Sequence, residues 1–260
     1  MGTDARAPAW APPLLAVQFL TRVPVPPLAR LTPEQARDGL ARATGWLPLV
    51  GATIGLVTAL VLAGARLVWP VPVAVLIALV VEAWLTGAFH EDAVADFCDA
   101  FGGGATGEEA RRILKDSRIG SYGALGLGLM AALRWATMAA LPPGLATAAI
   151  VGAAAVARFW AVALLALCPH APAGTGIAKD IGAMPPRTLG LAVVTLLPGV
   201  AALAVLRPGA MAAVVLAGAV MLPLLARFLN RRIGGSTGDC LGFAAYLGQL
   251  ATLLAACAVG

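Results

Sequence analysis

Asp92, Asp96 and Asp99 stand at positions i, i+4 and i+7, the spacing that lines side chains along one face of a helix. Three carboxylates held that close repel one another unless a cation neutralises them. Carboxylate oxygens suit hard Mg2+, which a few side chains commonly hold while water and substrate phosphates fill its other positions. The alternative reading is a solvated helix face. The surroundings argue for the ion. Glu82 sits within an apolar run, where an ionisable group is costly to desolvate, and His90 lies at the mouth of that run. Eight of the 13 acidic residues fall between Glu82 and Gly123, among them Glu91, Glu108, Glu109 and Asp116. An unbroken helix would set Glu82 and Asp96 ~21 Å apart. They can share a site only if the helix breaks near Thr86-Gly87 or another segment folds between them.

Basic and small residues supply the complementary chemistry. Lys115 and Arg118, three apart in Lys115-Asp116-Ser117-Arg118-Ile119-Gly120, can clamp phosphate oxygens from one helical face. Their other use is topological, as for Arg111 and Arg112. Gly102-Gly103-Gly104 either lets a backbone approach a phosphate or simply turns the chain. The spacing matches neither a P-loop nor a dinucleotide fingerprint. Gly234-Gly235-Ser236-Thr237-Gly238-Asp239 reads as a phosphate- or metal-facing turn at a helix start, with a plain N-cap by Asp239 as the competing reading. Arg158 and Arg134 fall inside apolar runs and need a partner or a polar cavity. Thr175–Asp180 reads as a candidate substrate loop, and His170, beside Pro169, as a loop residue rather than a ligand.

Apolar helices must position these groups. The chain has 260 residues, 60% hydrophobic and 12% charged, with mean hydropathy +0.88. A soluble domain is roughly a quarter charged. The composition predicts an all-α, polytopic membrane helical bundle, one integral membrane domain over residues 1–260. Spans are predicted at Trp46–Ala65, Pro72–Phe89, Tyr122–Leu141, Gly144–Leu167, Leu189–Leu206, Ala210–Phe228 and Leu241–Val259, each near the ~20 residues a bilayer needs. Residues 1–45 make a cytoplasmic, interfacial segment with a short polar helix at Thr32–Arg42, capped by Thr32. Residues 91–121 make an acidic catalytic loop. With the N-terminus inside, 14 of 18 Lys and Arg fall in cytoplasmic segments, and only Arg66 and Arg207 fall outside. The positive-inside rule then favours N-in and C-out. The net charge of +5 serves topology on this reading, not nucleic acid. Cys98, Cys168, Cys240 and Cys257 are scattered without a CxxC pair, so neither zinc nor a disulfide framework is indicated. No basic start leading into an apolar run marks a cleaved leader.

Four stretches in order carry a resemblance. They are Phe19-Leu20-Thr21-Arg22-Val23-Pro24-Val25-Pro26, Thr86-Gly87-Ala88-Phe89-His90-Glu91-Asp92 with Asp96 and Asp99, Lys115 to Gly120, and Gly234 to Asp239. Nearly end to end, the chain resembles the cobalamin synthase (adenosylcobinamide-GDP ribazoletransferase) family. It departs where that family usually has Gly, at Ala93 and Ala100, and where it tends to carry Glu, at Tyr246 and Gln249. The resemblance implies a transferase of the bacterial cytoplasmic membrane, its active site built from cytoplasmic loops. A ribose hydroxyl of α-ribazole, or of its 5′-phosphate, attacks the phosphorus of adenosylcobinamide-GDP nearer the corrinoid, and GMP leaves. On that reading Mg2+ is held by Asp92, Asp96 and Asp99, assisted by Glu82 or Asp116. Lys115, Arg118 and Arg22 bind the diphosphate, and Ser236, Thr237 and Asp239 line the substrate site. His90 or a carboxylate, Asp92 or Asp96, takes the hydroxyl's proton. The bilayer and a homo-oligomer complete the expected partners. Two other readings are a CDP-alcohol phosphotransferase making phospholipid, against which the missing Arg of its motif counts, and a transporter with an ion site at Glu82 and Arg158.

Overall fold

The computed structural model describes residues 6–168, 170 and 185–258. Thr175–Asp180 lies outside them. Eleven α-helices and no strand occur among the described residues: α1 Ala11–Leu20, α2 Pro33–Ala43, α3 Leu47–Ala65, α4 Val71–Thr86, α5 Phe89–Gly102, α6 Gly107–Ile113, α7 Ser121–Ala140, α8 Pro143–Leu167, α9 Pro186–Leu206, α10 Pro208–Ile233 and α11 Gly238–Cys257. Proline opens many of them, where its missing N–H costs no hydrogen bond. Thr32 caps α2 in a reciprocal box with Gln35, as the sequence predicts.

Six helical stretches are long and apolar enough to cross a bilayer. The predicted span Pro72–Phe89 is the exception. The helix ends at Thr86, because Gly87 (φ 75°) and Ala88 (φ 57°) both adopt the left-handed conformation. The chain then bends by 89° into α5, so α4 and α5 make a seventh span only if counted as one broken segment. We read α4 as the part within the membrane and α5 as turned out of it. Residues 91–121, expected as a loop, are largely α5 and α6. The sixth span runs further than predicted, to Ile233, where Gly234 (φ 74°) closes it.

α8 is the central helix: 16 of its 25 residues are buried, whereas α7 buries four of 20. Small residues let the other helices approach it. A Cβ added to Gly55 would lie 2.8 Å from that of Ala154 and 2.9 Å from the Ile150 carbonyl, and Gly199 of α9 meets Ala155 as closely. The outward faces carry Leu60, Val80, Trp84, Leu129, Val194, Val205 and Leu216, all exposed. An apolar belt of that extent is what a bilayer covers.

Candidate active site

The four sequence stretches meet at one end of the bundle. The Arg22 N–H donates to the Leu85 carbonyl at 2.8 Å, and its guanidinium stands over the break at Gly87, 2.8 Å from where a Cβ there would lie. The break lets α5 fold across the end and pack against α11. There Gly242 leaves room for Ala93, and Phe97 stacks on Phe243 with ring centroids 3.7 Å apart. Asp99 joins the third stretch: its Oδ2 accepts from Gly120 N–H and its Oδ1 from Gly123 N–H, both at 2.7 Å. Those are orphan donors at the start of α7, so the carboxylate caps that helix. Arg111 to the Ile233 carbonyl (2.8 Å) and Arg232 to the Gly104 carbonyl (2.7 Å) bring the end of α10 alongside.

Asp96 is the electrostatic centre of this end. Partial burial and then the carboxylates of Asp92, Asp239 and Asp99 raise its pKa to about 7. No Lys or Arg forms an ion pair with Asp92, Asp96 or Asp239 among the described residues. The sequence left Asp239 between a phosphate- or metal-facing turn and a plain N-cap. The N-cap of α11 is Thr237, whose hydroxyl accepts from Cys240 N–H at 3.4 Å. That leaves Asp239 in the first turn, facing α5. Ser236 is fully buried and donates to the Cys168 carbonyl at 2.7 Å, while His170 Nδ1 lies 3.2 Å from the Ser236 carbonyl. Both hydroxyls therefore shape the turn rather than point to solvent.

Asp99, expected as a metal ligand, has both oxygens taken by backbone N–H groups, and two further expected ligands lie elsewhere. Glu82 is buried between helices, its Oε1 2.6 Å from Arg134 and its Oε2 accepting from Thr58 at 2.7 Å. The second nitrogen of Arg134 meets Glu91 at 3.1 Å, and its guanidinium lies 5.8 Å from the Tyr246 ring centroid. This clamp joins α3, α4, α5, α7 and α11 and takes Glu82 out of the aspartate group, despite the break that sharing required. Asp116 sits in the loop before α7, bonded by Arg118 at 2.7 Å and 3.0 Å, and those hydrogen bonds hold its pKa down at about 2. Lys115 and Arg118 are exposed on the same loop. Among the described residues no three His, Cys, Asp or Glu side chains close around a metal position. An ion shared between two or three carboxylates, water and a phosphorylated substrate needs no closed set, and the all-oxygen donors of Asp92, Asp96 and Asp239 fit a hard cation.

Residues 12–257 match the family model described as cobalamin-5-phosphate synthase. The chain belongs to that family. A relative from Leptothrix cholodnii named adenosylcobinamide-GDP ribazoletransferase is 42% identical over 247 residues, 92% of each chain. Relatives with the same name from Bradyrhizobium diazoefficiens and Shewanella frigidimarina are 39% and 36% identical; they cover 99% and 95% of this chain, and this chain covers 97% and 94% of theirs. No solved structure matches. Ala93 packs against Gly242, where an added Cβ would lie 2.5 Å from that of Ala93, and the Tyr246 ring lies against an arginine already paired with Glu82 and Glu91.

Proposed function

We propose that the chain joins adenosylcobinamide-GDP to α-ribazole, or to its 5′-phosphate, at the end of the bundle where the four stretches meet. The observation that carries this is that Asp92, Asp96 and Asp239 have no basic ion-pair partner among the described residues, while Lys115, Arg118 and Arg22 are exposed on the stretches that meet at the same end. A ribose hydroxyl oxygen forms a new bond to the phosphorus nearer the corrinoid. The phosphoanhydride bond breaks, and GMP leaves with its electron pair. Lys115, Arg118 and Arg22 hold the diphosphate and offset charge on the leaving group. His90, at the start of α5, or one of the aspartates accepts the hydroxyl's proton. Mg2+ bound by Asp92, Asp96 and Asp239 would polarise the phosphoryl oxygens. Asp99 supports this site by fixing α7. With the N-terminus inside, 14 of 18 Lys and Arg fall in cytoplasmic segments, and the positive-inside rule then turns this end to the cytoplasm of a bacterial inner membrane.

The test is GMP release by detergent-solubilised protein given adenosylcobinamide-GDP, α-ribazole and Mg2+, with and without chelator. Chelator-sensitive release is expected. Release that chelator leaves untouched overturns the ion's role. CMP release from a CDP-alcohol, with no GMP from the corrinoid, overturns the transferase reading in favour of phospholipid synthesis.

A further inference from the structure

Arg158 is the second buried arginine, and nothing around it matches its charge at close range. It is 2% exposed, and among the described residues its Nε has no hydrogen-bond partner and its side chain makes one bond, a long 3.4 Å contact to the Ala154 carbonyl. No carboxylate lies within ion-pair distance of it among the described residues. A guanidinium carries five N–H donors, and leaving buried ones unmade is costly. Gly51 of α3 makes room for its stem: a Cβ there would lie 2.9 Å from Arg158 Cδ. The side chain is thus housed but not satisfied.

It is aimed into a cavity of ≈ 60 Å³ between α1, α3, α5, α8 and α11, which widens to ≈ 540 Å³ when its open mouth is counted. The walls include Phe19, Leu47, Phe89 and Val162; the polar groups are Arg158, His90 and Thr44. His90 is 7% exposed and makes no hydrogen bond to any described residue, and its ring packs edge-on against Phe89. Gly238 and Gly242 of α11 also line it, which puts the cavity wall next in sequence to Asp239, and His90 puts it two residues from Asp92.

The lining decides the chemistry of the occupant. Glu82 and Glu91 act on Arg158 at longer range, as does Arg134, so the four charges of this interior sum to zero. A phosphate dianion placed against hydrocarbon walls would bring uncompensated charge. A flat, uncharged ring with a hydrogen-bond acceptor meets both demands, apolar faces for the walls and a lone pair for the unmade donor. Resting on the transferase reading above, we propose that this cavity seats the aromatic heterocyclic base of the nucleoside substrate, with Arg158 donating to an acceptor nitrogen of that base. The ribose then lies at the mouth, its hydroxyl beside Asp92, Asp96 and Asp239. Arg158 and the cavity walls set which base is accepted.

The experiment measures binding of free 5,6-dimethylbenzimidazole to the full, detergent-solubilised chain at pH 8, where that ring is uncharged, alongside steady-state kinetics. Two variants are used: Arg158→Met, which removes the donor, and Ala161→Leu, which fills the cavity and keeps Arg158. The wild type binds the free base, and each variant weakens that binding by at least about 10-fold. In each variant KM for the nucleoside rises about 10-fold or more while KM for adenosylcobinamide-GDP changes by less than about twofold. If Arg158→Met fails to fold, Ala161→Leu carries the test alone. Equal binding of the base by wild type and Ala161→Leu overturns the proposal, as does no binding by an active wild type. Displacement of the base by inorganic phosphate overturns the uncharged occupant. Base binding that Ala161→Leu abolishes, in a protein that releases no GMP, upholds the cavity's ligand class and sinks the transferase reading instead.

Discussion

Glu91 and Asp92 are neighbours in sequence and belong to two different kinds of acidic group. Glu91 turns toward α7 and, with Glu82, shares Arg134. Asp92 points about 100° away around the same helix, toward Asp96 and the start of α11. The first group is closed: two carboxylates, one guanidinium and the Thr58 hydroxyl, with Glu82 and Arg134 both buried. The second is open: Asp96 feels the charges of Asp92 and Asp239, and none of the three has an ion-pair partner among the described residues. A buried acid that has found its arginine serves architecture. An acid group without an ion-pair partner among the described residues, in a protein with 18 basic residues, is where the proposed cation would act. On that proposal one helix, α5, carries a structural face and a reactive face.

The largest effect tests the closed group. Arg134→Met leaves two carboxylates without their partner inside the bundle, and breaking a buried pair costs about 3–5 kcal/mol. Thermal unfolding in detergent should show a large fall in Tm, partly restored by adding Glu82→Gln. An unchanged Tm would break the contrast, because the clamp would then carry no architectural weight.

Asp96→Asn probes the open group and should do the reverse. Activity falls by about 100-fold or more, equivalent to roughly 2.7 kcal/mol, while Tm in chelator holds or rises because a repelling charge is gone. The pH dependence has a definite sign. Asp96 has a pKa raised from 3.8 to about 7, so the folded state binds its proton more tightly than the unfolded chain does. The stability from that proton is fully present below pH 4 and is lost as pH rises through about 7. In chelator, wild-type Tm should decline across that window, with a shallower decline in Asp96→Asn. Added Mg2+ should raise wild-type Tm more above pH 7 than below it, because the ion competes with the proton. Equal Tm curves for the two proteins would remove Asp96 from the centre of the group.

Local spacing made two members of the open group legible, Asp92 and Asp96, while distance hid the third and the closed group. The i, i+4, i+7 pattern placed Asp92, Asp96 and Asp99 on one face from sequence alone, and the need for a break near Thr86-Gly87 is met by Gly87 and Ala88. The partners of Glu82 could not be read that way. Arg134 lies 52 residues further on, and only packing of α4 against α7 reveals that it claims Glu82. The same holds for Asp99, whose oxygens are taken by backbone N–H groups 21 and 24 residues away. Asp239 was visible as a residue but not as a neighbour of Asp92, because α5 meets α11 only after the 89° bend. Apolar runs revealed the spans themselves, but α4, shortened by that bend, could not be told from a full crossing.

Asp116 supplies the smallest effect and the sharpest check on the rule that pairing marks structure. It is an acid with a partner, like Glu82, but its partner Arg118 stands in solvent with 83% of its side chain exposed. An exposed pair holds little of the fold together, since water and salt screen it. Asp116→Asn should therefore leave Tm unchanged. If the pairing only orients Arg118 toward the diphosphate, KM for adenosylcobinamide-GDP should shift by less than about threefold with kcat retained. If Asp116 instead helps hold the ion, as its place in the acidic stretch first suggests, kcat should collapse and excess Mg2+ should restore part of it. The pair geometry, with both Asp116 oxygens bonded to Arg118, favours the small effect. A collapse would show that an acid can carry a partner and still belong to the reactive face.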